Sequence, residues 1–185
     1  MYLLRDSVAL LFVAAILVAC SDGPEPAAEA DVEPVASTCG GEGYLQATLS
    51  GALSADLDWP DADLRCESMR RPDDRGVRLR LSGDVGGERL SFIIALPELG
   101  AGATGAGFDS VVTITVEGSG RFFSTPNLGA CWADIETNKP LADPGGMHVV
   151  AGVLDCVGPL GEFNGDAYVD LRGLRFSGVG DWNAT

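Results

Sequence analysis

Basic residues are scarce in this chain. Histidine occurs once, at His148, and lysine once, at Lys139. Lysine and arginine together number 12 against 27 acidic residues, so the formal net charge is −15. A surface of that sign repels a phosphate backbone, which excludes nucleic-acid binding through a basic patch. One histidine cannot furnish a His-rich zinc or iron site. One lysine confines Schiff-base and Ser–Lys chemistry to a single position. Catalytic motifs are missing as well. There is no G-x-S-x-G elbow and no S-x-x-K. H-E-x-x-H and the phosphate-binding P-loop are absent too. A Ser/His/Asp triad would have to use His148, which follows Pro144-Gly145-Gly146 at the start of a predicted strand. A surface or strand-edge role is expected there. The chain is therefore read as a non-enzyme with no cofactor.

What is present begins at the amino terminus. A short head with Arg5 and Asp6 leads into an uncharged run, Val8 to Cys20. As a helix the run spans roughly 20 Å at about 1.5 Å per residue. A bilayer core needs about 20 residues, so the run is short for a transmembrane span and fits a signal-peptide h-region. It ends in Leu17-Val18-Ala19-Cys20. These four residues resemble the lipobox of bacterial lipoproteins: an aliphatic residue, a small or aliphatic one, a small one, then Cys. The resemblance implies a signal peptide over 1–19, cleavage before Cys20, and acyl chains on the new amino-terminal Cys. Each buried CH₂ of such chains contributes about 0.8 kcal/mol of membrane affinity. Ser21 follows the anchor Cys, which resembles the outer-membrane-sorted class of enteric bacteria. The expected location is the bacterial cell envelope, with the membrane as partner through the lipid. Residues 20–36 then form an acidic, Pro- and Ala-rich segment without a basic or aromatic residue. It offers too little apolar area to offset ordering entropy and reads as an extended tether.

From Ser37 to Thr185 the chain is long enough for one domain with a real core. Abundant glycine disfavours long helices, and period-two alternation recurs instead. Leu45, Ala47, Leu49, Gly51 and Leu53 line one face of a first strand. Val77, Leu79 and Leu81 alternate with Arg78 and Arg80, and Gly86-Gly87 reads as a hairpin turn into Leu90, Phe92, Ile94 and Leu96. Further strands are expected around Val112–Val116, Arg121–Ser124, Cys131–Glu136, Met147–Val157 and Tyr168–Phe176. Gly152 suggests a bulge or close packing, and Gly173 shifts the phase between Leu171 and Leu174. About eight strands without a connecting helix predict an all-β antiparallel β-sandwich, with a closed eight-stranded barrel as the alternative. A membrane-spanning barrel is disfavoured, because Arg78, Arg80, Asp134 and Glu136 would face lipid.

With Cys20 assigned to lipid, Cys39, Cys66, Cys131 and Cys156 remain. An even number in an exported domain reads as two disulfides, and three pairings are possible. The sequence-local pairing, Cys39–Cys66 and Cys131–Cys156, is preferred. Each would close a loop of about 25 residues, for which chain entropy gives roughly 3 kcal/mol. The alternatives are free buried thiols or a Cys₄ metal site, the latter without any C-x-x-C. The second pair would join consecutive strands across a turn-rich loop, Asn138 to Gly146.

One local cluster could carry chemistry. Asp56, Asp58, Asp61 and Asp63 fall within a segment read as a loop. Hard cations such as calcium want several oxygen ligands, so these four are calcium candidates. The segment lacks the central Gly and closing Glu of an EF-hand loop, so a solvated acidic turn is expected. Trp59-Pro60 within it could present an aromatic to a sugar or protein, or cap the core. The alternating strands and the Gly152-Val153-Leu154-Asp155-Cys156 segment loosely resemble small bacterial surface lipoproteins with disulfide-stapled β-sandwiches. The leading expectation is a binding or structural module whose protein or glycan partner the sequence does not name. The alternatives are a small-molecule or lipid carrier, which needs an open apolar cavity, and a carboxylate- or metal-dependent hydrolase, which needs converging acids.

Overall fold

A computed structural model describes residues 38–69, 75–142 and 146–183. The expected signal peptide, the lipobox with Cys20, the tether, and Pro144 and Gly145 before His148 lie outside the described residues. Among the described residues no helix is long and apolar enough to cross a membrane. The described residues form an all-β, antiparallel fold, with eleven strands in one sheet. In chain order they are β1 (Tyr44–Gly51), β2 (Ala55–Pro60), β3 (Arg65–Met69), β4 (Val77–Val85), β5 (Glu88–Leu96) and β6 (Gly105–Val116). β7 (Arg121–Ser124), β8 (Cys131–Pro140), β9 (Met147–Cys156), β10 (Leu160–Glu162) and β11 (Tyr168–Asp181) complete the set.

The centre of the sheet is built from broken strands. β7 and β8 pair with successive stretches of β6. β9 and β10 do the same along β11. The β8–β9 and β7–β10 pairings join the two halves. From this centre the order runs β11-β1-β2 on one side and β6-β5-β4-β3 on the other. The two wings face each other in sandwich-like packing. A Cβ built on Gly178 of β11 would lie 3.2 Å from the Leu81 side chain of β4, and one on Gly180 would lie 2.7 Å from Val77. A Cβ on Gly83 of β4 would lie 2.5 Å from the ring of Trp59 on β2. Glycine at these positions lets the wings approach where any side chain would hold them apart.

The apolar faces read from the sequence meet inside. Leu45, Leu49, Leu79, Leu81, Phe92, Ile94, Ile114, Phe123 and Phe176 are all buried. Each such side chain contributes about 1.5–3 kcal/mol relative to exposure. The phase shift at Gly173 is a bulge: Gln46 and Thr48 of β1 oppose Arg175 and Arg172, leaving one extra residue on β11. Gly173 has φ +60 there, and both Leu171 and Leu174 stay buried. Gly152 is a close approach, since a Cβ would run into the Asp134 carbonyl oxygen. Arg80 on the outer face of β4 is held by Glu67 at 3.1 Å and Glu117 at 2.7 Å.

Several expectations need correction. The acidic segment is not a loop: Asp56 and Asp58 lie in β2, and Asp61–Asp63 form a 3-10 turn. Leu57 and Trp59 alternate inward with those acids outward, but Asp is rare enough in strands to hide the pattern. β3 and β10 were also unanticipated, being only 5 and 3 residues long. Asn138 to Pro140 belong to β8 rather than to a loop. β11 continues past Phe176 to Asp181.

The layer contact can be tested with two glycines whose φ is not positive. Gly83→Ala places a methyl against the Trp59 ring and should cost about 1–3 kcal/mol by overpacking. At Gly161 a Cβ meets nothing within 4 Å, so Gly161→Ala should stay within about 0.5 kcal/mol of the parent. Urea titration of both variants measures the difference, and equal midpoints would contradict the packing described.

Candidate binding cleft

A depression of about 570 Å³ lies where the β2–β3 connection meets the β4–β5 hairpin. Trp59, Asp61, Asp63, Arg65, Asp84 and Arg89 line it. Trp59 is only 5% exposed and meets Phe92 edge-on, with centroids 5.9 Å apart. It therefore caps the core and is not a surface aromatic. Asp61 Oδ1 accepts the Gly43 backbone N–H at 2.7 Å. The Cys39–Cys66 disulfide ties the residues before β1 to β3, and Thr38 Oγ1 accepts the Cys66 N–H at 2.9 Å.

Across the cleft, Asp84 and Arg89 face each other in the hairpin register. Arg89 donates from Nε at 3.0 Å and from Nη2 at 2.9 Å to the two carboxylate oxygens. That hydrogen bonding, with the Arg89 charge behind it, holds the Asp84 carboxyl below its ordinary range despite slight desolvation. The cleft thus offers three carboxylates and two guanidiniums around a polar opening. Such a lining suits recognition of a ligand bearing both donors and acceptors.

The four calcium candidates do not converge. Asp61 and Asp63 line this cleft, whereas Asp56 and Asp58 line a different, shallower depression of about 250 Å³. Asp56 accepts from Thr48 Oγ1 at 2.9 Å and Asp58 from Gln46 Nε2 at 3.0 Å. Among the described residues, no group of three or more His, Cys, Asp or Glu is placed to hold a metal ion. His148 lies in β9 and serves another purpose. Asn138 Nδ2 donates to Gly100 O at 3.0 Å and Ala103 O at 2.9 Å. Its Oδ1 is therefore the acceptor facing His148 Nδ1, 3.0 Å away. The His148 ring also meets Trp182 edge-on at 5.1 Å. The result is a strap for the 100–103 turn.

Sequence reasoning missed the Asp84–Arg89 pair, although the Gly86-Gly87 turn makes those residues partners. It also missed Arg121 and Glu162, which belong to strands no local pattern links. Arg121 Nε donates to Glu162 Oε1 at 2.6 Å, and the guanidinium lies 5.1 Å above the Phe123 ring. On the outer surface nearby, Phe122 and Phe163 stack at 5.3 Å.

Two outcomes follow from these arrangements. A calcium site of micromolar Kd would add about 4 kcal/mol at 1 mM calcium. With the acids split between two depressions, we expect 1 mM calcium and 1 mM magnesium to shift the melting of the full chain equally. A calcium-specific rise above about 5 °C, abolished in Asp58→Asn/Asp61→Asn, would overturn this. The second outcome concerns acid. The Arg121 hydrogen bond and charge hold the Glu162 carboxyl below its usual range, against the upward pull of desolvation. A depressed folded value contributes stability that is complete above about pH 4.5 and fades as pH falls through the folded value. Glu162→Gln should therefore melt below the parent at pH 6, with the gap closing toward pH 3. A gap that is constant across that range would refute the pairing.

A scan of protein-family models, a search of curated proteins and a search of solved structures each find no match to this chain.

Proposed function

We propose that this chain is a bacterial envelope lipoprotein, anchored through acylated Cys20, whose β domain is a non-catalytic binding module. The observation that carries the reading is Leu17-Val18-Ala19-Cys20 closing an uncharged run and followed by an acidic, Pro-rich segment. Ser21 favours the outer membrane. Two disulfide pairs suit a domain exported to an oxidising compartment. The cleft of Asp61, Asp63, Arg65, Asp84 and Arg89 is the recognition surface, and it suits a polar protein or glycan partner. Its charged groups can hydrogen-bond a ligand from both sides while Trp59 and Phe92 keep the floor rigid. Bacteria expressing the full chain should incorporate labelled palmitate into it and retain it in the membrane fraction. Cys20→Ser should lose the label and either accumulate unprocessed or appear in the soluble fraction. Normal processing and membrane retention of Cys20→Ser would eliminate the lipid anchor.

A further inference from the structure

The two disulfides sit in different surroundings. Cys39 is 0% exposed and Cys66 4%, so both sulfurs of the first are sealed in the core. The second joins the first residue of β8 to the last of β9, at the break in the centre of the sheet. Cys131 is fully buried. Cys156 is only partly buried and lines an open cleft of about 530 Å³ with Asp155, Val157, Pro159 and Arg172.

A third residue completes the arrangement. Ser110 of β6 stands directly opposite Cys131 in register, as Cys156 does on the other side. Opposed residues on one face hold their Cβ atoms about 4.5–5.5 Å apart. Ser110 is fully buried, yet its hydroxyl has no hydrogen-bond partner. An orphaned buried hydroxyl costs about 1–3 kcal/mol, and this one stands across the β6–β8 pairing from a buried cysteine.

We propose that Cys131–Cys156 is a thiol–disulfide exchange site, with Cys156 the sulfur attacked and Cys131 the leaving sulfur stabilised by Ser110. The co-reactant is a dithiol reductant. Its thiolate enters the cleft and forms a new S–S bond to Cys156 Sγ. The Cys131–Cys156 bond breaks, and its electron pair remains on Cys131 Sγ. A thiolate buried among apolar side chains is unfavourable unless a donor meets it. Once the bond is cut the sulfur can turn toward Ser110, whose idle O–H becomes that donor. The second thiol of the reductant, as thiolate, resolves the mixed disulfide. That second attack falls on the reductant's own sulfur and expels Cys156 Sγ as a thiolate. The reductant leaves as a disulfide, and Cys131 and Cys156 both end as thiols by taking up the two protons the dithiol gave up.

The test uses the full chain purified without reductant. Dithiothreitol is titrated under native conditions, free thiols are alkylated, and peptides are mapped by mass spectrometry. Cys131 and Cys156 should become alkylated at dithiol concentrations that leave Cys39–Cys66 intact. With glutathione, a monothiol, the trapped adduct should sit on Cys156. In Ser110→Ala the rate constant for opening this disulfide by dithiothreitol should fall about tenfold, the size of one hydrogen bond to the departing thiolate. Cys39–Cys66 in the same molecules should keep its parent value. Ser110→Ala should also melt at or above the parent in the oxidised form, because an unpaired hydroxyl is removed, and Ser110→Thr should restore exchange. Opening of Cys39–Cys66 first or together with it, an adduct on Cys131, or an unchanged opening rate constant in Ser110→Ala would each overturn the proposal.

Discussion

A sheet of eleven strands with one apolar face must bury that face on itself, and the contact of β4 with β11 is where it does so. The burial is possible because β11 presents Gly178 and Gly180 to Leu81, Leu79 and Val77. Side chains there would hold the wings apart and expose the leucines each strand carries inward. The same device recurs at Gly83, which admits Trp59 from β2. Trp59 in turn fixes the floor of the charged cleft. The cleft is thus a consequence of the closure: the chain crosses from β2 of one wing to β3 of the other, and β3 pairs with β4, which brings the β2–β3 connection to the β4–β5 hairpin.

Much of this was legible in period-two alternation. Val77, Leu79 and Leu81 against Arg78 and Arg80 could only be a half-buried strand. Gly86-Gly87 placed its return, and Gly173 announced the bulge between Leu171 and Leu174. Three strands escaped for different reasons. In β2 the alternation of Leu57 and Trp59 was present, but aspartates at the outward positions resembled a turn. β3 carries too few apolar residues to show a period, and β10 is too short to have one. The closure itself left no local mark. Gly178 and Gly180 look like loosened strand end until Leu81 and Val77 are seen above them.

The functional groups divide along the same line. Spacing suggested that Asp56, Asp58, Asp61 and Asp63 share a loop. The strand keeps Asp56 and Asp58 on its outer face, while the 3-10 turn carries Asp61 and Asp63 to another depression. Proximity in sequence was therefore a poor guide to convergence. Asp84 and Arg89 were recoverable because a two-residue turn dictates its own register. Cys131 and Cys156 were paired by their sequence-local spacing. Ser110 was not recoverable, because it meets Cys131 only across the β6–β8 pairing, which no local pattern reveals.

The two disulfides also separate stability from reactivity. They span 27 and 25 residues, so chain entropy gives each about 3 kcal/mol of constraint on the unfolded chain. That contribution depends on loop length and is blind to the folded surroundings. Exchange depends on the opposite set of facts: which sulfur a thiolate can reach, and what meets the one that departs. Cys39–Cys66 differs in access: Cys39 is 0% exposed and Cys66 4%, although the Thr38 hydroxyl lies 3.9 Å from Cys39 Sγ. Cys131–Cys156 lies at a break in the sheet, where the turn after β9 leaves a cleft and β6 contributes a serine. Two crosslinks of nearly equal weight in folding can therefore play unequal parts in the folded protein.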